Sequence, residues 1–295
     1  MTRNQFNILE ILVSGESLSQ RQLKDKLNIS LGLVNKTMKE LSDLNYVKNG
    51  KITADGRAAL EPYRVKRAVF LAAGFGTRLV PITFNAPKPL VKVKGQRMID
   101  GLIDACLAAG IGEIYVVRGY LAEQFDQLLY KYPTIKFLEN PQFNEANNIR
   151  SALAARDLLS NAYVLEADIL LHTPSLIKPY QYCSNFLGVK KDRVDDWCCT
   201  VKDGIIVDER LGGEGDNLYR IIGISYWDEK DGQKLSRDIQ EIYQNPGGKE
   251  RFWEQVPLVY RRDHYRIEIR ECSEEDVTEI DTFKELKAAD PTYIT

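Results

Sequence analysis

The sequence predicts an α/β protein, in which a mostly parallel sheet is covered by helices and a small helical domain precedes it. Two observations carry this prediction. From Lys66 onward, apolar strand-like runs alternate with helical segments, whereas residues 1–62 contain helical segments followed by a hairpin. The 295 residues exceed what one small core needs, so we expect two domains, 1–62 and 66–295.

The N-terminal domain is predicted from two helix caps and one turn. Ser19 precedes a short helix, Gln20 to Leu27, and Ser30 precedes a second helix with apolar residues at helical spacing. Asn49 and Gly50 form the pair favoured in a two-residue hairpin turn. This order resembles a winged helix-turn-helix, and residues 53–60 are similar to the last part of that domain in bacterial transcriptional regulators. The apolar positions of the second helix are Leu31, Val34, Met38, Leu41 and Leu44.

The charge of this domain only weakly favours a nucleic acid partner. Residues 1–62 contain nine basic and seven acidic residues, a net charge of +2. DNA affinity depends largely on the number of phosphates that basic side chains neutralise. Asn35, Lys36 and Lys39 are expected on the exposed face of the recognition helix, where they fit either a DNA contact or a solvated surface. The domain is therefore interpreted as a DNA-binding module or as a dimerisation or regulatory module.

The second domain is predicted from its alternation of strands and helices. Gly110 follows the first helix of this region, where a left-handed residue is expected to end it. In open sheets of this type, ligands bind beyond the carboxyl ends of the strands. The expected strands are 68–73, 113–117, 135–138 and 163–167, and the expected helices are 98–109, 122–131 and 147–159.

The loop after the first strand has the composition of a phosphate site. Gly74 and Gly76 leave the backbone free to wrap an anion, and Arg78 and Lys88 add positive charge. Two common phosphate motifs are excluded, because there is no G-x-x-x-x-G-K-[ST] and because Leu79 replaces the third glycine of G-x-G-x-x-G. The residues expected to bind the nucleotide here are Leu71, Ala72, Ala73, Gly74, Phe75, Gly76 and Thr77.

The segments L-A-A-G-F-G-T-R-L (71–79), P-I-T (81–83) and P-K-P-L (87–90) resemble the signature of nucleotidyltransferases that activate sugar phosphates and phosphocholine. The resemblance implies a Rossmann-like sheet and an enzyme that attacks the α-phosphorus of a nucleoside triphosphate. Lys88 is then expected on the α-phosphate, with Arg78 and the loop amides on the β- and γ-phosphates.

Two aspartates are candidates for holding Mg²⁺, which a nucleotidyl transfer requires to neutralise the triphosphate. Asp168 ends an apolar strand, and Asp281 stands in an E-I-D segment before a short helix. By the same resemblance, Asp168 and Asp281 are the expected magnesium ligands. Glu166, two residues earlier, is expected to face away from the site.

The acceptor is expected among late aromatic residues, which also fit a hydrophobic core. Aromatic faces with a nearby carboxylate are suited to a quaternary ammonium group. The segments G-I-S-Y-W-D (223–228), F-W-E (252–254) and E-I-D (279–281) resemble those of bacterial CTP:phosphocholine cytidylyltransferases, a likeness that spans about residues 66–290. It implies CTP as donor, with the loop at Gly119 and the asparagine pair at Asn147 near the nucleotide. The expected acceptor residues are Trp197, Tyr226, Trp227, Trp253 and Glu254.

The sequence therefore predicts a magnesium-dependent phosphocholine cytidylyltransferase that forms CDP-choline and pyrophosphate. Three alternatives stay open: a sugar-1-phosphate nucleotidyltransferase, an enzyme for phosphoethanolamine or 2-aminoethylphosphonate, and a DNA-binding regulator that senses a ligand. Lacking an apolar leader or a run of about 18 apolar residues, the protein is expected to be cytoplasmic and without membrane contact. Five scattered cysteines fit free thiols. The oligomeric state, with a homodimer as one option, and any association with a choline kinase are left open.

Overall fold

Residues 1–16 and 18–293 are described by the structure, which is a computed structural model. These residues separate into two compact units. The N-terminal unit contains Met1–Arg64 and the short segment Tyr180–Tyr182, and the C-terminal unit contains Val65–Pro179 and the described chain from Cys183 onward. Within the described residues, every helix is too short or too polar to cross a lipid bilayer.

The described residues of the N-terminal unit form four α-helices, one small hairpin and a final 3₁₀ turn, Glu61–Tyr63. Ser19 and Ser30 cap the second and third helices as predicted, each accepting a hydrogen bond from an amide of the first turn. Asn49 and Gly50 both have positive φ, as the predicted two-residue turn requires. The elements of the described residues are α1 (Arg3–Val13), α2 (Gln20–Leu27), α3 (Leu31–Asp43), β1 (Val47–Lys48), β2 (Lys51–Ile52) and α4 (Ala54–Leu60).

The core of this unit gathers the apolar faces of α1, α3 and α4. Val34 and Leu41 are fully buried, as their spacing along α3 predicts. Leu44 is 49% exposed, because α3 ends at Asp43 and Leu44 is its C-cap. The helical spacing therefore predicted the buried face but extended it one residue too far.

The C-terminal unit is organised around one large sheet. Its described strands, with those of two short pairs, are β3 (Arg67–Leu71), β4 (Lys92–Val93), β5 (Gln96–Arg97), β6 (Glu113–Arg118), β7 (Lys136–Glu139), β8 (Ala162–Glu166), β9 (Ile169–Leu171), β10 (Asn185–Lys202), β11 (Ile205–Ile206), β12 (Arg210–Trp227), β13 (Glu268–Cys272) and β14 (Val277–Glu279). The large sheet contains eight of these described strands in the order β11-β13-β10-β12-β8-β3-β6-β7. The half formed by β8, β3, β6 and β7 is parallel, whereas β12 is antiparallel to its neighbours β8 and β10.

Helices cover both faces of this sheet, and two of them differ from the predicted form. The segment expected as a helix over 122–131 is a 3₁₀ helix, Ala122–Tyr130. The helix expected over 147–159 is shorter, because the side chains of Asn147 and Asn148 bond to residues 250–254 and a non-helical turn follows at Ala155. The α-helices of this unit are α5 (Met98–Ala108), α6 (Ile149–Ala154), α7 (Glu229–Gln244) and α8 (Phe283–Ala289).

The sheet brings the predicted functional segments to one edge. β3 lies between β8 and β6, so the loop after β3 and the residues after β8 leave the sheet side by side. The short antiparallel pair of β9 and β14 then aligns the two acidic segments, and the Ile280 amide donates to the Asp168 carbonyl at 3.2 Å. Asp168 and Asp281, which are 113 positions apart in the chain, therefore become neighbours.

Candidate active site

A cavity of about 780 Å³ opens at the carboxyl ends of β3 and β8. Leu71 and Glu166, the last residues of these two strands, are register partners and both line it. This is where an open parallel sheet binds its ligands. The predicted site residues that line the cavity are Leu71, Ala72, Ala73, Gly74, Phe75, Gly76, Thr77, Arg78, Lys88, Asn147, Asp168, Trp197, Glu254 and Asp281.

The glycine loop packs directly on the stem of Lys88. Gly76 has a φ of +63°, which favours glycine, and a Cβ added there would lie 2.9 Å from the Lys88 Cβ. Thr83 closes the loop by donating its hydroxyl to the Gly76 carbonyl at 2.9 Å. Gly74 faces open space, with no atom within 4 Å of an added Cβ. The loop therefore has one glycine that packing requires and one that leaves room at the cavity.

Lys88 lies between the two predicted metal ligands. Its Nζ is 2.6 Å from Asp168 Oδ2 and 2.9 Å from Asp281 Oδ1. Arg78 also contacts Asp281, with 2.7 Å between Nη2 and Oδ1, but its side chain is 66% exposed. Burial opposes the charged form of Lys88, yet the two carboxylates outweigh it and keep the Lys88 pKa above its usual value. Lys88 therefore stays charged at the edge of the glycine loop.

A set of acids surrounds Lys88, and one of them, Glu166, has an orientation different from the predicted one. Glu166 does not face away from the site but lines the cavity, because it occupies the same face of β8 as Val164, two residues earlier. Gly223 on the neighbouring strand makes room for it, since an added Cβ there would lie 2.6 Å from Glu166 Oε2. Burial, together with Glu254 and Asp168, raises the pKa of Glu166 well above its usual range.

The arrangement of these acids fits a hard divalent cation. Oxygen atoms of Glu166, Asp168 and Glu279 lie within 4.8 Å of one another, and a second group joins Glu279 to Asp281 and Asp196. The Oδ1 atom of Asp168 is buried and has no hydrogen-bond partner in the described chain. Carboxylate oxygens are the ligands that Mg²⁺ prefers. The residues present are therefore suited to the predicted ion.

A second group of cavity residues, here called the acceptor end, contains Glu166, Glu209, Glu254, Trp197 and Phe252, and no cation is bonded to its acids in the described chain. Asn148 donates its side-chain amide to both oxygens of Glu254, at 3.4 and 3.3 Å, and Glu254 also shares a hydrogen bond with Glu166. Burial raises the pKa of Glu254 to about 7, and burial alone does the same for Glu209. Trp197 packs edge-on against Phe252, with ring centroids 5.3 Å apart, and both residues line this end.

Three of the predicted acceptor residues do not reach the cavity. Tyr226 and Trp227 are 1% and 0% exposed, and Trp253 is 2% exposed. They pack in the core of the C-terminal unit, where the indole nitrogen of Trp227 donates to Ser225 Oγ at 3.0 Å. The placement of these residues in the acceptor site is therefore corrected: β12 is covered on both faces at Tyr226 and Trp227, and Trp253 packs against Trp227 in the core.

Gly119 and Asn147 have supporting positions. Gly119 does not line the cavity; it packs beneath it, where an added Cβ would lie 2.7 Å from Phe143 and 3.0 Å from Ala73. Asn147 lines the cavity, and its side chain bonds to the Glu250 carbonyl and to the Asn148 amide. Asn147 thus forms part of the cavity wall, and Gly119 allows the close packing behind it.

Several cavity residues were missed as site residues by the sequence analysis. Glu279 and Phe252 belong to the quoted E-I-D and F-W-E segments, and Asn148 to the asparagine pair, so motif neighbours were the available signal. Asn140 and Glu209 stand in no recognisable motif. Asn140 is 2% exposed and donates its side-chain amide to Ser151 Oγ at 3.2 Å, while its Oδ1 has no partner in the described chain.

Comparisons with known proteins agree with this architecture. A nucleotidyl transferase family model matches residues 67–184, and a MarR family model matches residues 1–58. A 2-aminoethylphosphonate cytidylyltransferase of Lancefieldella rimae is 35% identical over 231 residues, covering 77% of this chain and 93% of that protein. A choline-phosphate cytidylyltransferase of Streptococcus pneumoniae is 32% identical over 196 residues, covering 64% of this chain and 82% of that protein.

Solved structures show the same fold. The CTP:phosphocholine cytidylyltransferase of Streptococcus pneumoniae superposes with a TM-score of 0.70 at 28% identity, covering 78% of this chain and 99% of the other. A UDP-glucose pyrophosphorylase at 17% identity superposes with a TM-score of 0.61, which is a likeness of fold. The predicted α/β fold with an N-terminal winged helix is thereby confirmed.

Proposed function

Since the chain belongs to the nucleotidyl transferase family and the two relatives described above are cytidylyltransferases, we propose that it transfers a cytidylyl group from CTP to a small phosphate or phosphonate carrying an amine. The observation that carries the proposal is the position of Lys88, whose ammonium lies between Asp168 and Asp281 beside the glycine loop. A ligand-sensing domain needs no such arrangement of transfer and metal groups, so catalysis is favoured over the regulator alternative.

The chemistry needs positioning and charge neutralisation. An acceptor oxygen attacks the α-phosphorus of CTP, the bond to the β-phosphate oxygen breaks, and pyrophosphate leaves. A phosphate monoester is largely ionised at neutral pH, with a second pKa of about 6, so no side chain has to act as a general base. Lys88 holds the α-phosphate, and Arg78 with the amides of residues 74–77 holds the β- and γ-phosphates.

Asp168 and Asp281 would hold magnesium, with Glu166 and Glu279 beside them. When bound, the ion would neutralise charge on the triphosphate. The described acids supply only oxygen ligands, which supports magnesium over a softer metal.

Asn140 supports a base that carries an amino group. Ser151 accepts from the Asn140 amide nitrogen, which leaves the carbonyl oxygen Oδ1 buried and free at the cavity wall. A buried acceptor without a donor is costly, by roughly 1–3 kcal/mol, and the exocyclic amine of cytosine would satisfy it. Uracil offers a carbonyl oxygen at that position. We therefore expect CTP to be preferred over UTP.

The acceptor is proposed to carry a primary ammonium, as in 2-aminoethylphosphonate. Three acids, Glu166, Glu209 and Glu254, line the acceptor end, whereas Trp197 is the one tryptophan among the described residues that does so. A relative of 35% identity that acts on 2-aminoethylphosphonate agrees with this choice. Phosphocholine, the acceptor first predicted, is the second candidate, and the Trp197–Phe252 pair favours it because aromatic faces bind quaternary ammonium groups.

The reaction is tested by measuring pyrophosphate release with four nucleoside triphosphates and four acceptors. The acceptors are 2-aminoethylphosphonate, phosphoethanolamine, phosphocholine and glucose 1-phosphate. We expect turnover with CTP and the amine-bearing acceptors. Turnover only with glucose 1-phosphate would make the protein a sugar nucleotidyltransferase, and no turnover with any pair would favour the ligand-sensing regulator.

A second function, DNA binding, is proposed for the N-terminal unit. Five basic residues of α2, α3 and the hairpin are exposed, and no described carboxylate lies within ion-pair distance of them. Such side chains would be available for phosphates. Fluorescence anisotropy with duplex DNA should show binding that weakens steeply between 50 and 200 mM salt; no binding at 50 mM would dismiss the proposal. The residues are Arg21, Lys36, Lys39, Lys48 and Lys51.

A further inference from the structure

The acceptor end of the cavity contains one buried carboxylate oxygen that nothing in the described chain satisfies. This atom is Oε2 of Glu209, which is shielded from solvent and has no hydrogen-bond partner. Glu209 lines the cavity and stands directly before β12, where the chain enters the sheet. A buried acceptor is normally hydrogen-bonded, so an unmet one at a cavity wall indicates a missing donor.

The neighbouring cation does not supply that donor. Arg210 follows Glu209 in the chain, but its guanidinium bonds to Asp208 and to the Thr200 hydroxyl. No described lysine or arginine forms an ion pair with Glu209. The arginine at this point of the sheet therefore holds the strand ends together and leaves the Glu209 carboxylate free.

The other two acids at this end are already occupied. Glu254 accepts from Asn148 and shares a hydrogen bond with Glu166. Of these three carboxylates, Glu209 alone lacks a donor, and its charge is close enough to disfavour ionisation of Glu254. A positively charged donor entering here would satisfy an open acceptor and offset this repulsion.

We propose that Glu209 selects the acceptor's amine by accepting a hydrogen bond from a primary ammonium. The inference rests on the proposed cytidylyl transfer and narrows its substrate class to acceptors with N–H donors. A trimethylammonium group carries the same charge but no N–H, so it leaves Oε2 unsatisfied. It depends instead on aromatic faces, for which the Trp197–Phe252 pair is available at this end, whereas Trp227 and Trp253 are buried.

The test uses acceptors that differ only in the number of N–H donors. Phosphoethanolamine, its N-methyl and N,N-dimethyl derivatives, and phosphocholine offer three, two, one and no donors. With CTP and the full-length wild-type protein, kcat/KM should fall along this series, by about 10- to 100-fold from first to last. A flat or rising series would overturn the proposal.

Variants separate charge from hydrogen bonding. Glu209→Gln should lower kcat/KM for phosphoethanolamine about 10-fold or more, mainly through KM for the acceptor, and should flatten the series while KM for CTP is unchanged. Glu214→Gln is the matched control, because Glu214 is exposed on β12, the strand that Glu209 precedes, and does not line the cavity. Equal losses for all four acceptors, or no loss with phosphoethanolamine, would contradict the role of Glu209.

Binding separates this proposal from the proposed reaction. Calorimetry with 2-aminoethylphosphonate, in the presence of CMP, is run on the wild type and on Glu209→Gln. If the wild type binds 2-aminoethylphosphonate and Glu209→Gln does not, but the wild type shows no turnover, then the proposed reaction is wrong and the proposed amine site stands. If Glu209→Gln retains full turnover, the proposed reaction stands and the proposed role of Glu209 is wrong. If the wild type shows neither binding nor turnover, both proposals are wrong.

Discussion

The two ends of the cavity differ in how their charges are balanced. At the phosphate end, Lys88 and Arg78 meet Asp168 and Asp281 in direct ion pairs. At the acceptor end, Glu166, Glu209 and Glu254 face the cavity with no cation bonded to any of them among the described residues. The phosphate end is thus neutralised by side chains of the protein itself, whereas at the acceptor end the proposed acceptor would supply the cation.

This difference fits the two kinds of ligand in the proposed reaction. A triphosphate needs cations, and the protein provides them already held in place by carboxylates. An aminoalkyl acceptor brings its own positive charge. The acceptor end therefore needs buried carboxylates that are not already paired with a cation of the protein. The carboxylates without a cation at the acceptor end therefore support an acceptor that carries a positive charge.

The largest expected effect is at the phosphate end. Asp281→Ala removes a carboxylate that contacts both Lys88 and Arg78 and is a proposed magnesium ligand. We expect kcat for pyrophosphate release to fall by about 100-fold or more, for every acceptor alike. Asp216→Ala, on the exposed part of β12, is the control and should retain activity. Near wild-type turnover in a folded Asp281→Ala protein would remove this residue from the site.

A smaller effect at the same end comes from a glycine. Gly76→Ala forces a left-handed alanine and places its Cβ 2.9 Å from Lys88. Gly110→Ala imposes a similar φ with open space around it. Both variants should lose about 1–2 kcal/mol of stability in urea unfolding, but Gly76→Ala alone should lower kcat/KM, on the order of tenfold. Equal activity of Gly76→Ala and Gly110→Ala would show that catalysis does not depend on the position of Lys88.

The matching change at the acceptor end is Gly223→Ala. The new methyl group would lie 2.6 Å from Glu166 Oε2 and would displace that side chain. We expect KM for the acceptor to rise several-fold and KM for CTP to rise less, because Glu166 bonds to Glu254 and also lies within 4.8 Å of Asp168. Gly188→Ala is the control, since its methyl group would press on Ile269 in the sheet instead. A rise in KM for CTP alone would contradict the division of the cavity.

The same comparison explains what the sequence revealed. The phosphate end comes largely from one continuous segment, residues 71–90, so its spacing is preserved in the sequence and a signature identifies it. Asp168 and Asp281 were also recognisable, because Asp168 ends an apolar strand and Asp281 stands in an E-I-D segment that resembles one in related enzymes. Local rules thus predicted the sheet, the glycine loop and the caps of α2 and α3.

The acceptor end was predicted less well, because five distant chain segments form it. Tyr226, Trp227 and Trp253 were placed there from composition, yet whether an aromatic residue faces a cavity or the core depends on what covers its strand. Glu166 was placed on the wrong face because the side that carries the cavity follows from the order of strands. Glu209 has no motif, and only its burial without a partner identifies it.

The smallest expected effect concerns stability in the absence of ligand. Burial raises the pKa of Glu209 from 4.5 to about 7, so the folded protein binds this proton more tightly than the unfolded chain. Stability is then lost as pH rises from about 4.5 to 7. Glu209→Gln removes this penalty and should be more stable than the wild type at pH 8, by about 1 kcal/mol because cavity water screens the charge.

Thermal unfolding at two pH values checks this prediction. At pH 5 the wild type and Glu209→Gln should melt close together, and at pH 8 the variant should melt about 2–4 °C higher. Glu214→Gln, whose carboxylate is exposed, should show no such difference between the two pH values. Adding phosphoethanolamine at pH 8 should raise the wild-type Tm and narrow the gap, since an ammonium bound at Glu209 offsets the buried charge. A difference in Tm between the wild type and Glu209→Gln that is the same at both pH values would show that Glu209 is already ionised and hydrogen-bonded. The two ends of the cavity would then not differ in how their charges are balanced.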